Sequence, residues 1–289
     1  MLRLLVVLGL AAVAVGASAC NSSSTVNTTT TATPKSTTTS VPPKTKVPTT
    51  TLAPSPVSAR SQTATLIMRT ALAHGGSRAS LHYVSTSIGD HVTTTIIGDV
   101  NRTSGSQTVA LSYKGTTISM LIELVGHEAY FRGSAAAIAN IIGLSPIQSS
   151  AAAGRWVSVV PTDSAYESTA AALTVSSVMS ELVLSAPISR ARTVVLGGRK
   201  ALEISGVWTG EGITAADHAT GKLDVSTGAA SLPIRFSGVE PENSKSPRFT
   251  ASFVISRWGE TVKVVPPAIS VPLSTILRTA TTTTQPVVI

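Results

Sequence analysis

The sequence predicts an α+β domain: a long, curved antiparallel sheet with helices packed on its concave face. Three observations predict it. Short runs of alternating apolar and polar residues recur in two stretches, with short glycine-containing turns between them. Segments of helical spacing lie before the first stretch and between the two, so the order is helix, strands, helices, strands. The chain beyond residue 58 is poor in aromatics and rich in Val, Ile, Leu, Ala, Thr and Ser, which suits aliphatic sheet faces.

The elements follow in order. Residues 65–73 place Met68 and Leu72 four apart, and Gly75-Gly76 ends that helix. Residues 81–88 and 92–100 flank Gly89-Asp90, a hairpin signal. Residues 108–113 set Val109 and Leu111 on one face. Residues 117–125 set Ile118, Met120, Ile122 and Leu124 on one face, with Thr117, Ser119 and Glu123 opposite. Gly126-His127-Glu128 turns into a strand over 129–133. Short turns between neighbouring strands make this a meander.

The middle is helical over 134–142, where Ala137, Ile138, Ile141 and Ile142 form an apolar face, and Ser145-Pro146 starts another short helix. Residues 156–161 are extended. Residues 174–184 return to helical spacing through Val175, Val178, Met179 and Leu182. The last third is strands again, over 192–196, 201–207, 221–226, 232–237, 249–256 and 260–265, stopped by Pro266-Pro267. A sheet of about ten strands curls or folds over, and helices that cap its concave side incompletely leave an apolar cavity.

The amino terminus is a different material. Residues 1–20 resemble a lipoprotein signal peptide: Arg3, an apolar run over 4–15 too short to span a bilayer, then Gly16-Ala17-Ser18-Ala19-Cys20. On that reading Cys20 becomes the first mature residue, its sulfur carries a diacylglycerol, and two or three acyl chains, palmitate among them, hold it to the membrane. The alternatives are a plain signal peptide cleaved after Ala19, or a buried thiol. Residues 21–58 hold 26 Ser, Thr or Pro among 38, with no acid and no aromatic. They cannot bury enough apolar surface to offset chain entropy, and read as a disordered stalk spanning roughly 30 Å as a coil. The folded domain is expected over 59–272, and 273–289 as a loose C-terminal tail.

Charge narrows the partners. The net charge is +8, but residues 1–60 carry five cations and no acid, so residues 61–289 carry only +3. No basic block interleaved with aromatics appears there, which argues against nucleic acid. The stalk cations suit anionic headgroups or wall polymers. The five histidines form neither HExxH nor HxH, and no second cysteine exists for a zinc site. There is no GxSxG elbow and no SxxK. His82 and His91 flank a turn, and His127-Glu128 lies in one, so both read as surface. The expectation is no catalytic residue, no metal and no cofactor.

Several motifs in order resemble the actinobacterial LppX/LprG lipoprotein family. They are the lipobox at Cys20, Glu128-Ala129-Tyr130-Phe131-Arg132-Gly133 entering a helix, Arg155-Trp156-Val157, Leu232-Pro233-Ile234-Arg235-Phe236, and the run from Phe253 through Arg257-Trp258-Gly259-Glu260 to Val264. The resemblance covers roughly residues 61–270. It implies a LolA-like half-barrel wrapped round helices, with a pocket for acyl chains, at the extracytoplasmic face of the cell membrane. It implies lipid or glycolipid as ligand and an envelope transporter or acceptor protein as partner. Aligned on it, the lipid-cavity candidates are Val109, Leu111, Ile118, Met120, Ile122, Ile141, Leu182, Leu202 and Ile204, each also explicable as ordinary core. The alternative function is an envelope assembly or sensor protein using the same fold without lipid. A hydrolase would need converging His and carboxylates.

Overall fold

The computed structural model describes residues 56–189, 191–209, 218–242 and 247–279. The expected signal peptide, Cys20 and nearly all of the stalk lie outside the described residues. The first described element, α1 (Pro56–Gly76), takes in the last three residues read as stalk. It presents Ala64, Met68 and Ala71 to the core at helical spacing.

Five strands follow as a meander: β1 (Ser80–Gly89), β2 (Val92–Asn101), β3 (Ser104–Tyr113), β4 (Thr116–Val125) and β5 (Glu128–Gly133). Short helices come next. They are α2 (Ala135–Ile141), α3 (Pro146–Ala152), α4 (Tyr166–Ala170) and α5 (Val175–Ser180), with β6 (Val157–Val159) between α3 and α4. Their starts are written in the sequence. The Ser134 hydroxyl accepts from Ala137 N, and Ser145 with Gln148 and Thr174 with Ser177 form capping boxes. The last third supplies β7 (Leu184–Ser185), β8 (Arg192–Leu196), β9 (Arg199–Trp208), β10 (Thr220–Ser226), β11 (Pro233–Glu240), β12 (Phe249–Ser256), β13 (Val271–Pro272) and α6 (Leu273–Thr279).

All thirteen strands among the described residues join one open sheet in the order β13-β6-β5-β4-β3-β2-β1-β12-β11-β10-β9-β7, with β8 also on β9. The expected α+β architecture with helices on one face is what the structure shows, and three particulars differ. The sheet is mixed, because β13 pairs with β6 in parallel. Residues 260–265 are not a strand. Gly259 N donates to Ser80 O and Asn101 Nδ2 donates to Val262 O, so this segment is tied across the end of the β1–β2 hairpin instead of along an edge. Nor is the chain loose from residue 273, because α6 buries Leu273 and Ile276 against α3 and β6.

The two halves of the sheet join where β1 pairs with β12, from His82↔Ser256 to Ile88↔Thr250. One face of the sheet is apolar and covered by the helices. Large side chains fill it toward the carboxy-terminal half. Trp208 meets Phe236 edge-on at 5.6 Å, Phe236 meets Phe253 at 6.2 Å, and Phe253 lies 6.4 Å from Tyr83. The Tyr83 ring rests on Gly98, where any Cβ would collide with it.

Tyr83 is fully buried, and its hydroxyl donates to Gln107 Oε1 at 2.5 Å. Burial first, then the charges of Glu181 and Asp99, push its pKa well above the tyrosine range. Burial, a hydrogen bond to Glu128 and that carboxylate's charge push Tyr130 up to about 12. Both folded values lie above the unfolded value of 10.0, so this contribution to stability is complete below that pH and is lost as pH rises past it. In an alkaline titration the Tyr83 phenolate absorbance is expected to appear only together with loss of near-UV circular dichroism. Ionisation of all four tyrosines at the ordinary value in a still-folded chain contradicts the buried placement of Tyr83.

Candidate functional site

Two hairpin turns build one end of the sheet. Asp90 and His91 join β1 to β2 with φ of 48° and 63°, and Lys114 and Gly115 join β3 to β4 with φ of 47° and 79°. Both are two-residue turns with positive φ at each central residue, which matches the twist of the strands they connect. Because β1–β2 and β3–β4 are neighbouring hairpins, their turns fall at the same end. Gly89, expected in the first turn, instead ends β1. The Phe249 ring covers it, and a Cβ there would lie 2.8 Å from Phe249 Cδ2.

Between these turns and α2 lies a pocket of about 640 Å³, within the size range of small-molecule sites. Val92, Leu111 and Ile118 make its floor from three adjacent strands, in the register Leu111↔Ile118 and Val92↔Tyr113. Ala136 and Asn140 of α2 form a wall, and Asp90, His91, Tyr113, Lys114 and Thr116 the rim. The Lys114 ammonium sits 5.1 Å from the Tyr113 ring centroid. Asn140 Nδ2 donates to Ala136 O at 2.8 Å, which ties one N–H of its amide to its own helix. The pocket is apolar at its base and polar, with both charge signs, at its mouth.

Of the nine nominated residues, Leu111 and Ile118 line this pocket. Val109, Met120 and Ile122 are buried further along β3 and β4, Ile141 is buried in α2, and Leu182 between α5 and β7. On β9, Ile204 is buried and Leu202 half-buried. Those seven lie outside this pocket, spread over the inner surface of the sheet and its helices. Sequence reasoning missed Val92, Tyr113, Lys114 and Asn140, and read His91 as plain surface. The two-residue spacing of the turns was the available signal.

A second pocket, of about 310 Å³, lies at the opposite end, bordered by Asp99, Arg257, Glu260 and Lys263. There His82 Nδ1 lies 2.9 Å from Asp99 Oδ1, and Arg257 Nη2 lies 3.1 Å from the same oxygen. Each carboxylate has a cation beside it, which makes this a charge-paired surface cluster. Asp90 and Asp99 sit at opposite ends of β2, so they form no acid/base pair. Burial raises the Glu123 pKa above its ordinary value. Among the described residues no three His, Cys, Asp or Glu side chains come together as a metal site. No helix among them is long and apolar enough to cross a membrane.

No family model matches the chain, and no curated protein matches it in sequence. Solved structures do. The Mycobacterium tuberculosis lipoprotein LppX aligns over 71% of this chain and 99% of its own, at 12% identity and a TM-score of 0.41. LprF from Mycobacterium bovis aligns over 72% and 98%, at 14% identity and a TM-score of 0.44. An uncharacterized conserved protein from Thermus thermophilus aligns over 73% and 98%, at 14% identity and a TM-score of 0.35. The chain is similar, at low identity, to the LppX/LprG-type lipoproteins that its motifs resemble.

Proposed function

We propose that this protein is a membrane-anchored lipoprotein that binds the acyl chains of a lipid or glycolipid, without catalysis. One observation carries the reading: the pocket between the hairpin turns and α2, apolar on Val92, Leu111 and Ile118 and polar at its rim. Lipidation at Cys20 and a stalk over 21–58 suit it, since they would hold the domain at the extracytoplasmic membrane face within reach of lipid and of an acceptor protein. The energetics set what the site must do. Burying each CH₂ is worth about 0.8 kcal/mol relative to water, but a chain taken from a bilayer was already out of water. Selection then rests on pocket volume and on the groups at the mouth.

Ile118 is the residue to test, because it lines the pocket and is only half-buried. Ile118→Trp fills the pocket from its floor while leaving the buried rows of β4 in place. A dansylated fatty acid is expected to bind the unaltered chain and to lose about tenfold in affinity on this substitution. An unaltered chain that does not bind the probe overturns the reading.

One feature favours a second reading, a protein-binding role without lipid. On the outer face Ile97, Val84 and Val254 are cross-strand neighbours on β2, β1 and β12, and Ile97 and Val254 are about half exposed. Ile97→Asp with Val254→Asp leaves fatty-acid binding unchanged on the first reading and removes partner binding on the second.

A further inference from the structure

We infer that the apolar pocket continues across the sheet as a slot for a single acyl chain, and that Trp208, with Phe249 stacked on it, plugs this slot until a chain enters. The inference rests on the lipid-binding reading and deepens it by giving the chain a path.

The path is set by register. Leu111, in the pocket floor, pairs with Thr94 of β2, and Thr94 with Ser87 of β1. Ser87 pairs with Ala251, Ala251 with Gly238, Gly238 with Gly221, and Gly221 with Gly206. From β1 to β9, five strands in succession therefore present Ser, Ala or Gly in one row of the inner face. At about 4.8 Å per strand this row is about 19 Å long. The adjacent row is bulky, with Phe253, Phe236, Leu223 and Ile204 in register with one another. It walls the small-residue row on one side and makes it a trough one side chain deep. No charged residue lies in the trough floor.

One aromatic ring stands in the trough and a second stands in the row beside it. Phe249 lies on Gly89, whose cross-strand partner Val92 belongs to the pocket floor, so this ring stands where the pocket ends. Trp208 lies on Gly238, and the two rings stack at 6.2 Å with 19° between their planes. Beyond them Leu184 covers Gly221, and Ile188 and the Ser185 carbonyl cover Gly206, so the stretch that the ring's movement frees runs from Ser87 to Gly238, about 10 Å.

A second observation comes from the indole itself. Trp208 is buried, yet its Nε1–H has no acceptor among the described residues. Buried indoles usually find one. Packing on glycine therefore holds this ring in place, with no hydrogen bond to break. Swinging it outward gives the N–H access to water, while an acyl chain taking its place covers the same apolar floor. The exchange replaces one apolar occupant by another and regains a hydrogen bond, the energetic pattern of a site that opens only when its ligand is present. A short chain fits the open pocket alone, and a long chain must move the plug.

The test uses the full chain labelled with fluorotryptophan, whose three tryptophans give three fluorine resonances. Trp208→Phe assigns the one of interest. If that variant does not fold, Trp156→Phe and Trp258→Phe assign it by elimination. Stearate is expected to shift the Trp208 resonance and leave that of Trp258 unmoved, whereas octanoate binds without shifting Trp208. Stearate that is retained by mass while the Trp208 resonance stays fixed overturns the slot and leaves the lipid-binding reading standing. A Trp208 shift with octanoate equal to that with stearate also overturns it. If neither acid binds, the lipid-binding reading is overturned, and the slot with it.

Discussion

Phe236→Ala is expected to lower the unfolding free energy by about 3–5 kcal/mol. Phe236 is fully buried on the inner face of β11, with its ring edge-on to both Trp208 and Phe253. Its ring also stands 3.2 Å from where a Cβ on Gly221 would be. Truncation removes the transfer free energy of the ring and leaves a void that the sheet cannot collapse, because the neighbouring strands are fixed by their ladders. Domains of this size are stable by about 5–15 kcal/mol in all, so the loss is a large share. Urea unfolding reads it as a lower midpoint with an unchanged slope. The control is Val254→Ala, on the opposite face of β12 and about half exposed, which is expected to stay within about 0.5 kcal/mol. Equal effects for the two substitutions would show that the aromatic cluster is not the core of this half.

What the sequence made legible was local. The alternation of Ile118, Met120, Ile122 and Leu124 fixes which face of β4 is buried, and the structure buries the last three and half-buries the first. Phe249, Ala251, Phe253 and Ile255 likewise share the inner face of β12. What stayed hidden was pairing between strands far apart in sequence. Nothing near His82 points to Ser256, yet that ladder joins the two halves of the sheet. The pocket was hidden for the same reason. His91 and Lys114 each announce only a turn, and they share one mouth because two hairpins lie side by side. The segment over 260–265 alternates like a strand, but its Glu260 and Val262 carbonyls accept from the Ser80 hydroxyl and Asn101 Nδ2 before an edge can claim them. In α6, Leu273 and Ile276 are three apart, a helical spacing overlooked beside the threonine run that follows.

The glycines separate two kinds of information. Gly115 needs positive φ for its turn, which a sequence reader infers directly. Gly105 has no such need. A Cβ there would stand 2.5 Å from the backbone oxygen of Leu173, so this glycine exists to let the segment between α4 and α5 approach the sheet. Only the assembled fold shows that requirement, as it shows why Gly238 underlies Trp208.

The outer face carries the other large effect. Arg235→Ala is expected to cost about 3 kcal/mol. Arg235 Nε donates to Asp224 Oδ2 at 2.7 Å, and the Asp224 side chain is only 2% exposed. Asp224 Oδ1 has no partner among the described residues, and the cross-strand neighbour of Asp224 on β9 is a second buried carboxylate, Glu203. Glu203 is held by Arg192 at 2.6 Å and more loosely by Lys222 at 3.8 Å. Deleting Arg235 leaves a buried negative charge facing another across the ladder, with its guanidinium gone. The exposed half of Arg235 argues for a smaller loss, since a pair open to water is worth about 0–1 kcal/mol. Burial of the carboxylate decides between the two, because the penalty falls on the partner left behind. The double variant Asp224→Leu with Arg235→Leu removes both charges and is expected to recover most of the loss, so a double-mutant cycle reads a large coupling. A cost for Arg235→Ala below about 0.5 kcal/mol, with no coupling, would make the pair a surface contact. These ion pairs lie in register over β9, β10 and β11, the strands whose inner face carries Gly206, Gly221 and Gly238. A glycine row offers no side chain to fix the pairing of its strands, so that register rests on the rows around it, the bulky Phe236, Leu223 and Ile204 inside and the charged Arg235, Asp224 and Glu203 outside.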